Sequence, residues 1–84
     1  MTESIAEVRA ALAAVSESLG SAARHARIAR ARLDDAVAVL TDLDREHAES
    51  LVPPELHRAS DELDHGLAAI GGGRDAVAAL DARL

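Results

Sequence analysis

At 84 residues and a formal charge of −6, with no Cys and no aromatic side chain, the chain lies at the size where a monomeric hydrophobic core is marginal unless staples or partner chains add buried area. Without Cys there is no disulfide frame, no thiolate metal site and no Cys nucleophile; without aromatic rings there is no stacking platform for single-stranded nucleic acid. The acidic balance argues against general binding to nucleic acid or anionic membranes, which need clustered positive charge.

No apolar run approaches the ~20 residues that a membrane span requires. The N-terminal segment carries Glu3 and Glu7 where a secretion signal would carry bases. These features predict no membrane span and no cleaved leader, cytoplasmic by default, and the length predicts a single domain, residues 1–84.

In chain order, the first element is a helix. Ile5, Val8, Leu12, Val15, Leu19, Ala22, Ala26, Ala29, Leu33, Ala36, Leu40, Leu43 and His47 recur in steps of three and four without a slip, the spacing of a heptad seam. The phase passes through Gly20, so the pattern predicts one helix from about 3 to 49. Thr2 or Ser4 is placed to cap it, and Ser4 with Glu7 fits a capping box.

Ser50-Leu51-Val52-Pro53-Pro54 predicts the turn, because each Pro lacks an N–H and Pro54 drives Pro53 out of the α region. Pro54 suits the first turn of a second helix, with Glu55 near its positive end.

The second helix is predicted over about 54–83, with a seam of Leu56, Ala59, Leu63, Gly66, Ile70, Gly73, Val77, Leu80 and Leu84. Mid-helix Gly costs roughly 1 kcal/mol relative to Ala, so Gly71-Gly72-Gly73 leaves a break there open. The fold class expected is all-α: a long antiparallel hairpin, folded about residues 50–53. Small residues then face each other, Gly66 near Ala36 and Gly73 near Ala26 and Ala29, with Ala22 in the same stripe, and the backbones can approach closely.

The two helices differ in length, which leaves an overhang. With Leu84 reaching only to about Val15 or Leu19, Ile5, Val8 and Leu12 lack intrachain cover. Ile5, Val8, Leu12, Val15 and Leu19 are therefore the expected association stripe, covered by a second copy or a related hairpin in a four-helix bundle or coiled coil.

Constellations that carry chemistry are sparse. His57, Asp61 and His65 stand at i, i+4 and i+8, and His47 near the turn could join them in holding a metal. Four-residue steps drift ~40° each, however, so the plainer reading is a solvated helix flank and no metal or cofactor is expected. The pairs Asp34 with Asp35 and Asp61 with Asp64 read as surface charge, since a two-helix hairpin offers no pocket to shift their pKa values. Gly71-Gly72-Gly73 is not a phosphate loop, for it lacks a preceding strand and a following Lys-Ser/Thr. No enzymatic activity is expected. Arg24, His25, Arg27, Arg30 and Arg32 form the one basic segment, suited to an acidic partner surface, including the stretch Asp42 to Glu49 of another copy.

In layout the chain resembles the small Trp-x-Gly helical-hairpin proteins of type VII secretion and the Ala-rich helical modules associated with bacterial polymorphic toxins. The turn reads Leu51-Val52-Pro53-Pro54 in place of Trp-x-Gly. His57-Arg58-Ala59-Ser60-Asp61 matches the start of a His-x-x-x-Asp/Glu variant, with Asp64 where that pattern has an apolar residue. The resemblance implies a hairpin that pairs as a homo- or heterodimer with a related chain or a larger toxin or secretion component as partner, some such proteins being exported without a cleaved signal peptide and others acting as targeting partners. The residues taken by themselves point to a non-enzymatic interaction module; the alternative is a cytoplasmic structural or regulatory adaptor of antitoxin type.

Overall fold

The computed structural model describes residues 4–84, so Thr2 and Glu3, expected near the start of the first helix, lie outside the described residues. Two helices, α1 (Ile5–Asp44) and α2 (Pro54–Ala82), pack as an antiparallel hairpin, and no strand occurs among the described residues. The molecule is a rod of 68 × 19 × 14 Å.

Ser4 caps α1 in extended conformation, and its side chain accepts a hydrogen bond from the Glu7 backbone N–H at 3.1 Å. This half of the capping box satisfies one of the orphan donors of the first turn. The helix then runs for 40 residues through Gly20. It ends at Asp44, about a turn earlier than the sequence pattern predicts. Beyond Leu43, Glu46, His47 and Glu49 offer nothing apolar to bury against α2, and a helix without tertiary packing gains little. The Asp44 carboxylate instead accepts from the Ser50 hydroxyl at 3.1 Å and from the Leu51 N–H, folding the chain back on itself.

Pro53 is extended and Pro54 opens α2, whose 29 residues continue through Gly71-Gly72-Gly73. No Gly of the described chain has positive φ. The triple Gly is therefore helical, and the packing of Ile70 and Val77 on either side carries it.

The early fold-back shifts α2 along α1 by about two turns from the expected register. Leu19 Cδ1 lies 3.5 Å from where a Cβ on Gly73 would sit, and Arg9 pairs with Asp81 at 3.7 Å. The C-terminal end of α2 thus reaches the level of Arg9 rather than Val15 or Leu19. The expectation that Leu12 lacks intrachain cover is corrected: Leu12 lines a groove with Val77 and Ala78 and is half-buried, as is Val8. Ile5 remains 56% exposed.

The seam between the helices has one of its two predicted columns and a displaced second one. Leu12, Leu19, Ala26, Leu33 and Leu40 of α1 face Leu56, Leu63, Ile70 and Val77 of α2, all half-buried. The second column of α1 is Ser16, Ala23, Arg30, Val37 and Asp44, one residue on from the predicted Val15, Ala22, Ala29, Ala36 and Leu43. In α2, Ser60, Leu67 and Asp81 likewise take the place of Ala59, Gly66 and Leu80 in the more buried positions, although Ala59 and Gly73 remain partly covered. The physical reason is area. Turning Val37 and Leu67 inward in place of Ala36 and Gly66 buries several more methyl and methylene groups, each worth roughly 0.8 kcal/mol when fully covered.

The hairpin is nonetheless almost coreless. Among the described residues the one fully buried apolar side chain is Ala23, at 2% exposure. Ser60 is the buried polar group, and its hydroxyl donates to the Leu56 carbonyl at 3.1 Å within its own helix.

Candidate functional site

With the seam fixed, the helical repeat assigns the remaining columns to two broad faces of the hairpin. One face is charged. Arg30 donates from Nε to Asp64 Oδ1 at 3.0 Å across the helices and pairs with Asp34 along α1. The hydrogen bond to Asp64 is the main influence raising the Arg30 pKa above its ordinary value; partial burial opposes it and the Asp34 charge adds to it. Arg9 and Asp81 form the corresponding contact at the open end.

Gly20 is buried on this same face because two guanidinium groups lie over it. A Cβ at Gly20 would sit 3.8 Å from both Arg24 Nη1 and Arg74. Neither Arg24, Arg27 nor Arg74 has an ion-pair partner among the described residues. The basic segment foreseen in the sequence is thereby divided: Arg30 is consumed inside the hairpin, whereas Arg24 joins Arg74 of the other helix over Gly20.

A shallow groove lies on the charged face between Arg9, Leu12, Ser16, Val77 and Asp81, with a volume of about 390 Å³. It is open to solvent along its length, and its one carboxylate is already paired with Arg9.

The opposite face is apolar. It carries the displaced column of α1, Val15, Ala22, Ala29, Ala36 and Leu43, beside Ala59, Gly66, Gly73 and Leu80 of α2. Val15 is 47%, Leu43 52% and Leu80 38% exposed. Of the residues expected at close helix packing, Ala26 and Gly73 sit in or against the seam, while Ala22, Ala29, Ala36 and Gly66 are exposed on this face. Nothing lies within 4 Å of where a Cβ on Gly66 would be. Of the expected association stripe, Ile5 and Val15 are exposed, and Val8, Leu12 and Leu19 are half-buried by the hairpin itself.

The histidines and carboxylates singled out in the sequence do not converge. His47, His57, Asp61 and His65 are all exposed, and among the described residues no three His, Asp or Glu side chains stand where they could share a metal ion. No helix of the described residues is long and apolar enough to cross a membrane.

Comparison with protein families, characterised proteins and solved structures returns no match. The geometry of the surface itself carries the functional reading.

That geometry was only partly legible beforehand. Arg74, isolated in the sequence, becomes part of a cationic cluster only through the hairpin. The sequence signal that could have found the apolar face was the choice between Gly66 and Leu67, and between Ala36 and Val37, for the seam: the larger residue of each pair takes the buried place.

Proposed function

We propose that the protein is a non-enzymatic interaction module: a helical hairpin that associates through its apolar face and presents its charged face to an acidic partner surface. The observation that carries this reading is the exposed area. The chain shows 6283 Å² to solvent, whereas a compact monomer of its 8.7 kDa mass exposes about 4700 Å². That leaves about 1500 Å² that a typical fold would have covered, more than the ~800 Å² per partner of a standard stable interface.

Energetics point the same way. A seam of half-buried side chains around one fully buried Ala offsets only part of the conformational entropy of ordering two helices, which runs to roughly 1–2 kcal/mol per residue for the backbone alone. Burial between chains is the remaining source of apolar area. On the charged face, Arg24 and Arg74 come together across the two helices with no ion-pair partner among the described residues, which suits carboxylates of a partner better than an extended nucleic-acid track, given the net charge of −6.

Light scattering and circular dichroism over a dilution series test the reading together. A chain that associates at tens of micromolar and loses helix on dilution fits it. A chain that stays monomeric and fully helical throughout that range would overturn it, because the exposed face would then need no cover. The acidic-partner half is tested by titrating poly-glutamate against the wild type and the Arg24→Ala/Arg74→Ala variant at two salt concentrations. Salt-sensitive binding lost in the variant supports it; equal behaviour removes it.

A further inference from the structure

Resting on the association reading above, we infer that the apolar face is covered by a second copy of this chain, related by a twofold axis parallel to the helices, so that α1 of each copy lies on α2 of the other. The area left exposed is enough for one such interface. The arrangement itself follows from side-chain size and charge along the rod.

Register within the hairpin sets the levels. Leu19 lies against Gly73 and Arg30 pairs with Asp64, so Val15 falls within about one turn of Leu80, Ala22 of Gly73, Ala29 of Gly66 and Ala36 of Ala59. A half turn about an axis parallel to the rod preserves every level and exchanges the helices. Val15 then meets the Leu80 position of the other copy at one end, and the three small pairs meet in the middle, where Ala against Gly permits close backbone approach. Large side chains oppose large ones, and small oppose small.

Charge selects this packing over its rival. Arg32 and Glu62 stand on opposite outer edges of the apolar face at the same level, too far around their helices to meet within one chain, and neither has an ion-pair partner among the described residues. The parallel twofold brings each Arg32 against the Glu62 position of the other copy, twice per dimer. The rival twofold, perpendicular to the rod, lays α1 on α1 about Ala29 and sets Arg32 against the other copy's His25, so that the basic segment faces itself. Like charges in register across an interface disfavour it.

The absence of Cys makes the geometry directly testable. Full-length chains carrying Ala29→Cys and chains carrying Gly66→Cys are mixed, allowed to exchange, and treated with a short thiol cross-linker, alongside each variant alone. The parallel twofold predicts covalent dimers in the mixture, with little or none from Ala29→Cys alone. Cross-linking of Ala29→Cys alone identifies the perpendicular twofold and overturns the inference, as does an intact dimer in which the mixture does not cross-link.

A charge swap provides an independent readout. Arg32→Glu alone and Glu62→Arg alone should each weaken dimerisation about tenfold, through the loss and reversal of two symmetry-related pairs, and the double variant should restore it. A double variant as weak as either single would sink the pairing. Both residues are exposed in the hairpin, so folding is not at stake. A wild-type chain that never dimerises overturns the association reading itself, an outcome distinct from a dimer with the wrong contacts.

Discussion

The sharpest test of the fold lies in the triple Gly. Gly71 and Gly72 are in the middle of α2 with helical φ, exposed, and with nothing within 4 Å of where a Cβ would be placed. Replacing both by Ala introduces no clash and removes the extra backbone freedom of two glycines from the unfolded chain. At roughly 0.8–1.0 kcal/mol each, Gly71→Ala/Gly72→Ala should stabilise the fold by about 2 kcal/mol, which for a chain this short raises Tm by about 10 °C. Neither position lies on the apolar face, so association does not mask the effect. The assay is thermal unfolding followed at 222 nm, at fixed protein concentration because Tm of an associating chain depends on it. A double variant no more stable than wild type would mean that residues 71–73 are not helical in solution, and the continuous α2 would be refuted.

Other outcomes follow from the same contacts. Leu67→Ala, in the seam, should cost about 1–2 kcal/mol, less than a fully enclosed Leu because the seam is open on both sides; Ile28→Ala, at a position 50% exposed, should stay within about 0.5 kcal/mol, and equal losses in denaturant titrations would show the seam misassigned. Ser4→Ala removes the acceptor of the Glu7 N–H and should cost about 1 kcal/mol, with faster amide exchange confined to the first turn of α1. Asp44→Ala should accelerate exchange of the Leu51 amide, whose acceptor it removes, while leaving the middle of α2 protected. Leu12→Asp places a charge against Val77 and Ala78, so hydrogen exchange should report opening of the C-terminal end of α2; an exchange pattern unchanged there would restore the uncovered overhang.

The two helices, the Ser4 cap of α1 and the Pro-Pro start of α2 were determined by local sequence. A heptad phase sustained from Ile5 to Leu43, Ser4 three residues before Glu7, and Pro53-Pro54 each act over a few residues, through periodicity, a side-chain acceptor and a missing N–H. The same locality made one seam column readable, because Leu12, Leu19 and Leu33 are large apolar residues with no adjacent apolar side chain of comparable size.

The second column, the register and the two faces were decided only in the tertiary structure. Choosing between adjacent residues, Ala36 or Val37 and Gly66 or Leu67, depends on how much area each buries against the other helix, and no periodicity ranks them. Where α1 stops depends on whether His47 and Glu49 find anything to pack against, and that stop moves α2 by about two turns. The shift covers Leu12, which the sequence pattern left bare, while the seam's choice of Val37 and Leu67 leaves Ala29 and Gly66, which that pattern had buried, exposed. The close-packed stripe of the sequence pattern thus lies on the outside of the hairpin, because the helices turned their larger side chains toward each other and left the smaller ones facing out.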